Sequence, residues 1–446
     1  MHRILRRLAP ALALVGLGAA GCRDFLTGGD LSNDPNRPLA ATSQQLFVGV
    51  QSGLWALLLS APNRYAGLWT QQFLGGGIQY QPLYEYQRDE TTTNGLYQGL
   101  YVSGGLVDVR RLEAQAAQSN DSLFLGIARV QEALLVGTGA DIFGDIAYKG
   151  ALTGEANVPL TPQLEVYDSV QVLLSQAIVN MAASGPTNTG PGEADLSYGG
   201  DAAQWTRLAH TLKARYFFHT AEVRPAAYAQ ALTEARLGIT SAGDNFVAAF
   251  SGGANEQNFF YQFQQVRSGY YIPNPSFVTL LKQRNDPRLS DYFNANQTNL
   301  SAARLSPSYT QPLVTANENL LIRAEAAQRT GAEPEARTQL NAERAIAGLG
   351  AVSATLSGGP LLTEILTEKY ISDFGSIEVW NDYKRTCFPN LTPTVAGEKI
   401  PPRLYYDQAE RLTNTAIPEP NAQPFRNAND PANRTVDGTG AACLGQ

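Results

Sequence analysis

The stretch NENLLIRAEAAQRTGAEPEARTQLNAERAIAGLG, residues 317–350, decides the fold class. Leu320, Ala324 and Ala327 fall on one helical face, Thr330-Gly331 breaks the pattern, and Ala336, Leu340 and Ala347 resume it. Small residues at the crossing let two helices approach closely, so the segment reads as a helical hairpin. The same periodicity recurs upstream. Residues 44–60 and 121–137 form two helical blocks, the second carrying Leu123, Ile127, Leu134 and Leu135 with Ala128 and Ala133 between them. Thr161-Pro162 is a helix start signal, an N-cap hydroxyl followed by proline at the first helical position. Val166, Val170, Leu173, Ala177 and Met181 follow it, and Trp205, Leu208, Leu212 and Tyr216 line a further helix. No alternating run is long enough for a large sheet, so the chain is expected to be mainly α, in effect all-α.

Ala324, Ala336 and Leu340 match the small and large positions of a tetratricopeptide helix pair, with Glu343 departing where a small residue is expected. The repeat of about 34 residues does not run visibly through the whole chain.

At the other end, Arg3, Arg6 and Arg7 precede a small, apolar run over residues 11–21 that stops at Cys22. Its length, about 10 residues, suits the ~7–15 of a signal peptide and falls short of the ~20 of a spanning helix. Ala19-Ala20-Gly21-Cys22 is similar to the bacterial lipobox, with Ala19 where leucine is usual. Residues 1–21 are therefore expected to be a leader and Cys22 to carry lipid, against the alternative of an ordinary secreted protein with a chance cysteine. Residues 22–41, rich in Asp, Asn and Pro, suit a flexible tether. Residues 42–446 are expected to form one compact helical domain.

The chain has 33 Lys and Arg against 40 Asp and Glu, and without residues 1–21 the count is 30 against 40, a charge of −10. An acidic chain disfavours nucleic acid and polybasic adhesion to anionic lipid. Cys387 and Cys443 either form a disulfide closing 56 residues or stay as two isolated thiols, and both readings stand. A bridge of that span contributes about 4 kcal/mol in the chain-entropy model.

Chemistry-bearing motifs are scarce. His210 and His219 are nine residues apart, no HExxH zinc motif, GxSxG elbow or Walker loop occurs, and no metal or cofactor is expected. A glycoside hydrolase using a carboxylate pair remains an alternative, because 40 acids give many pairs whose separation a sequence does not reveal. A tetratricopeptide-type envelope scaffold is a third reading.

Several landmarks, in order, resemble the SusD/RagB family of outer-membrane nutrient-binding lipoproteins. They are the opening Cys22-Arg23-Asp24-Phe25-Leu26, Asp141 to Tyr148, the Val166-Tyr167 helix, Tyr198-Gly199-Gly200-Asp201 with Trp205, and Leu212-Lys213-Ala214-Arg215. Asp286-Pro287-Arg288-Leu289, Ala324-Glu325-Ala326 with Asn341, Glu368-Lys369-Tyr370, Trp380, Lys384-Arg385-Thr386 and Pro389 follow, then Ile400-Pro401, Arg403, Glu410 and Asn414. Ala147, Lys384 and Cys387 depart from the proline, arginine and glycine common at those places. The resemblance implies a right-handed stack of tetratricopeptide-like helix pairs with a loop-rich, irregular ligand-binding region. It further implies a non-catalytic, palmitate-anchored protein on the extracellular side of the outer membrane. Such a protein captures a glycan, peptide or other nutrient oligomer and delivers it to a TonB-dependent, SusC-like transporter barrel. Asp286-Pro287-Arg288, Arg385 and Arg403 are expected to be buried anchors.

Residues 69–101 hold Trp69, Phe73, Tyr80, Tyr84, Tyr86, Tyr97 and Tyr101, interrupted by Gly75-Gly76-Gly77 and Pro82, with Gln79, Gln81, Glu85, Arg88 and Asn94 as polar neighbours. A second patch has Tyr261, Tyr270 and Tyr271 beside Arg267. Flat rings stack on sugar C–H faces or on peptide side chains. The expected ligand-binding residues are Trp69, Tyr80, Tyr84, Tyr86, Tyr97, Tyr270 and Tyr271. For any one of them the alternative is packing of the loops onto the helices.

Overall fold

The computed structural model describes residues 41–446 except Asn94, Ala156, residues 432–434 and Gln446. The expected leader, the lipid site at Cys22 and nearly all of the tether lie outside the described residues. In chain order the helices are α1 (Ser43–Leu59), α2 (Ala61–Trp69), α3 (Gly77–Tyr84), α4 (Leu106–Gln118), α5 (Ser122–Phe143), α6 (Gln163–Met181), α7 (Ala202–Thr220) and α8 (Ala227–Ala235). There follow α9 (Phe259–Val266), α10 (Pro275–Gln283), α11 (Arg288–Tyr292), α12 (Ala316–Arg329), α13 (Glu333–Ile346), α14 (Gly358–Ser372), α15 (Glu378–Thr386) and α16 (Gln408–Thr413). Four short strands, β1 (Phe73–Gly75), β2 (Phe246–Ala248), β3 (Tyr271–Pro273) and β4 (Gln311–Val314), pair antiparallel as β1–β3 and β2–β4. Leu46–Gln446 form one compact unit, to which the helical stack belongs.

Local chemistry sets the helix ends. Asp121 accepts from the Phe124 N–H at 2.9 Å, Asp201 from Gln204 at 2.8 Å, and Thr315 from Glu318 at 3.1 Å, each satisfying an orphan donor of a first turn. Helix α6 starts at Gln163, one residue later than Thr161-Pro162 suggests. Thr161 is held extended in a bridge with Ile146, and its hydroxyl accepts from the Lys149 N–H at 3.0 Å. Asp145 takes over the Gln163 N–H at 2.8 Å. Helix α5 continues past residue 137 to Phe143, because Gly137 serves packing rather than termination: a Cβ there would stand 2.3 Å from the Tyr216 ring. Although α5 is long and apolar enough to cross a membrane, most of it is buried in the fold.

The stack is continuous in space but not in sequence. Helix α4 packs on α5, α5 on α6, α6 on α7, α7 on α8, α8 on α12, and α12 on both α13 and α14. Ala214, Ala231, Ala235, Ala324, Ala327 and Ala336 lie at these crossings with Phe218, Leu321, Leu340 and Ile365, forming one buried cluster. The hairpin reading of residues 317–350 holds, including the Thr330-Gly331 break. One detail differs: Ala347 is the half-buried C-cap of α13, and Glu343 is the residue with no exposure. Glu343 reaches Arg288 at 3.4 Å and accepts from Asn317 at 3.0 Å, so its departure from the small-residue pattern supplies a buried partner.

The landmark charges are interior anchors. Arg288 pairs with Asp286 at 2.7 Å, Arg385 forks onto Glu325 at 2.7 and 2.8 Å, and Arg403 donates to the carbonyls of Phe143 at 2.6 Å and Pro424 at 3.0 Å. Cys387 ends α15 in the left-handed region with φ 54°, a conformation that favours glycine. It is joined to Cys443, with Cα atoms 6.0 Å apart.

Candidate ligand-binding groove

The glycine run Gly75-Gly76-Gly77 is the device that brings the two aromatic segments together. In the β1–β3 register Phe73 faces Pro273, Leu74 faces Ile272 and Gly75 faces Tyr271. The Gly76 N–H then donates to the Tyr270 carbonyl at 2.9 Å. A Cβ on Gly75 would stand 2.0 Å from the Tyr80 carbonyl oxygen, so α3 folds back over β1 only because that residue has no side chain. Nearby, Asn258 caps α9 by accepting from the Phe260 and Tyr261 N–H groups. The four-residue spacing then sets Phe259, Phe263 and Arg267 along one side of α9.

Between α2, α3 and α9 lies a groove of about 860 Å³. Its rings are Tyr65, Tyr80, Phe259 and Phe263, and its polar side chains include Gln79, Gln87, Gln262, Thr91, Thr92, Arg64 and Arg267. Arg64 donates through Nε to the Tyr80 hydroxyl at 2.7 Å and lies over the Phe263 ring, 4.4 Å from its centroid. Burial pushes the Tyr65 phenol up to about 12 and raises that of Tyr80 as well, so both stay neutral hydroxyls at physiological pH. Flat apolar faces beside amide and hydroxyl donors fit a polyhydroxylated, partly apolar ligand.

The expected ring set is redistributed. Tyr80 lines the groove, though only 6% exposed. Tyr270 is half-buried behind it, its ring 6.4 Å from that of Tyr80. Tyr84 is half-buried and its hydroxyl accepts from Asn274 at 3.3 Å. Trp69, Tyr97 and Tyr271 are interior, at most 1% exposed, while Tyr86 is as buried as the groove tyrosines but is not among the lining residues. Trp69 donates to the Leu83 carbonyl at 3.0 Å and packs on Trp380; Tyr271 stacks on Phe73 at 3.9 Å. The hydroxyls of Tyr86 and Tyr97 accept from the N–H groups of Thr394 and Ala147. Burial is the physical reason in each case: a loop region this large needs its own core, and rings supply it. Arg64, Tyr65, Phe259 and Phe263 were not among the expected residues. The signal for the last two was present in the i, i+4 spacing of Phe259 and Phe263.

Asn94 lies outside the described residues. A smaller chamber of about 240 Å³ is lined by Arg288, Asp291, Arg304, Glu318 and Asp373 among others, but most of these charges already serve ion pairs. Asp141, His219 and Glu378 place their ligand-type atoms within 4.8 Å of one another. Both imidazole nitrogens are already spent, on Asp141 and Glu378 at 2.8 Å each, while Arg215 lies 3.5 Å from Glu378. That pattern is a buried imidazolium clamp. The carboxyl of Glu113 is raised by burial and by Glu132, yet the pair sits where α4 meets α5, braced by Arg110, and does not face the groove.

Burial alone would lower the His219 imidazole, but the two carboxylates raise it to about 9. The folded value lies above the ordinary ~6.5, so its contribution to stability is complete below about pH 6.5 and is lost as pH rises through about 9. Urea unfolding of wild type should therefore weaken by ~3 kcal/mol across that window relative to His219→Gln. Parallel pH profiles for the two proteins would remove the clamp.

Comparison with known proteins places this geometry. A SusD-like family model, described as starch-binding associating with outer membrane, matches residues 35–407. No curated protein matches the chain significantly. Among solved structures, a SusD/RagB family protein from Bacteroides thetaiotaomicron is similar at 22% identity and a TM-score of 0.68, over 85% of this chain and 95% of that one. A chitin-binding SusD homologue from Flavobacterium johnsoniae is similar at 18% identity and a TM-score of 0.70, over 86% and 99%. A SusD homologue from Bacteroides fragilis reaches a TM-score of 0.70 at 17% identity, over 91% and 100%. These identities speak to the fold, and the family match spans most of the residues that build it. The chain belongs to the SusD-like family.

Proposed function

We propose that this protein captures an oligosaccharide at the cell surface, holds it in the groove between α2, α3 and α9, and delivers it intact to a TonB-dependent transporter barrel. It is tethered to the outer membrane through acylated Cys22 and works by binding rather than by bond cleavage. The observation that carries the reading is the convergence of two aromatic segments, far apart in sequence, on one open groove through the β1–β3 pair. The family's starch-binding description and a chitin-binding homologue of the same fold support a saccharide as the occupant.

Calorimetric titration with a panel of glucan and chitin oligosaccharides tests it. Phe263→Ala should weaken a ligand that wild type binds by about ten-fold, the worth of one ring stacked in a partly desolvated groove. Unchanged affinity in Phe263→Ala and Phe259→Ala would move the site elsewhere, and release of reducing ends would replace binding by hydrolysis.

A further inference from the structure

The charge of the groove runs against the charge of the chain. Acids outnumber bases by 40 to 33 overall, yet among the described residues that line the groove the charged side chains are Arg64 and Arg267, and none is acidic. Elsewhere arginine is habitually neutralised by a carboxylate, as in Arg215 with Glu318, Arg344 with Glu364 and Arg411 with Glu90. The groove arginines are held by uncharged partners instead. Arg64 uses Nε on the Tyr80 hydroxyl and rests on the Phe263 ring. Arg267 uses Nε on the Gln79 amide oxygen at 3.2 Å and Nη1 on the Val266 carbonyl at 3.3 Å, with the Tyr270 ring 5.9 Å away.

Rings and amides orient a guanidinium without cancelling its charge. Of five N–H donors on each side chain, Arg64 spends one and Arg267 two among the described residues, so paired donors remain for a planar or tetrahedral anion. Glu85 and Asp89 are not among the lining residues, although they accept from Gln87, Thr91 and Thr92 of the wall and keep their own charge just outside it. Two guanidinium groups on the groove wall are therefore the charges that a ligand seated in it meets first.

We propose that the groove selects oligosaccharides that carry negative groups, carboxylate or sulfate, with Arg64 and Arg267 as the pairing residues. This rests on the saccharide reading of the groove. The neutral rings bind the sugar faces, and the guanidinium groups read the charge.

The test titrates the full chain with four probes: an oligogalacturonate, a sulfated dextran oligomer, an uncharged dextran oligomer of matching length, and an oligoglutamate. At low salt at least one anionic saccharide should bind ten-fold or more tightly than uncharged dextran, an advantage that shrinks as ionic strength rises. Which of the two anionic saccharides wins assigns carboxylate or sulfate. Arg267→Gln, which removes the guanidinium with its Gln79, Val266 and Tyr270 contacts, should cost about ten-fold for the anionic saccharide and clearly less for the uncharged one. Arg64→Lys should keep part of the preference that Arg64→Gln loses. Equal binding of charged and uncharged saccharides, insensitive to both arginines, overturns the charge selection while leaving the saccharide groove standing. Oligoglutamate binding as tightly as the saccharides overturns it in favour of a peptide. Binding of no saccharide removes both this inference and the reading beneath it.

Discussion

Replacing Glu325 by alanine is expected to cost about 3–5 kcal/mol of folding stability, more than any groove substitution. Glu325 has no exposure, and its carboxylate is the shared acceptor for Arg385 at 2.7 and 2.8 Å, Lys369 at 3.2 Å and Arg329 at 3.2 Å. Burial on its own would raise that carboxyl; the three cations hold it well below the usual carboxylate range. Truncation would leave cations from α12, α14 and α15 facing one another, with Asp382, Asp437 and, at 3.8 Å from Arg385, Glu222 to share among them. The cost comes from desolvated charge left without a partner rather than from the lost attraction itself. Urea unfolding monitored by tryptophan fluorescence measures it. A variant within about 1 kcal/mol of wild type would show that water reaches the cluster and screens it.

Gly75→Ala should have the largest effect on the groove. The added methyl would meet backbone atoms, 2.0 Å from the Tyr80 carbonyl oxygen and 2.5 Å from its carbon, and no rotamer change relieves a clash with main chain. Helix α3 must shift away from β1 and carry Tyr80, Pro82 and Leu83 of the groove wall with it. Overpacking of this kind costs about 1–3 kcal/mol, and saccharide affinity should fall at least ten-fold as the wall moves. Gly49→Ala is the matched control, since nothing lies within 4 Å of its added methyl and it sits inside α1, where alanine is favoured by about 1 kcal/mol. Full ligand affinity in Gly75→Ala would mean that the α3 wall is dispensable and that α9 alone carries the site.

The helical elements were legible because each is written locally. Leu320, Ala324 and Ala336 repeat at the helical period within one short stretch, and Trp205 to Tyr216 do the same, so period alone identified faces that are indeed buried. Burial of Arg288 and Arg385 was legible only through resemblance, since an arginine looks the same in sequence whether solvated or paired. Among the rings, local reading did not reveal that Trp69, Tyr97 and Tyr271 are interior. A tyrosine in a glycine-rich stretch fits a binding surface and a private loop core equally well until its neighbours are known. The neighbours come from far along the chain: Trp380 for Trp69, Tyr406 for Tyr97, and Phe73 for Tyr271.

What the sequence by itself determined is the class of the fold and one helix pair, residues 317–350, because hydrophobic period, N-caps and small residues at crossings act over a few residues at a time. The tertiary structure alone decided which aromatics face solvent, that Arg64 and Arg267 share one groove with no acid among its described lining residues, and that Glu343 and Glu325 are interior partners for cations. Those outcomes depend on the β1–β3 pairing and on charges meeting across separate helices. Contacts of that kind are set by three-dimensional packing and leave no periodic trace in the order of residues.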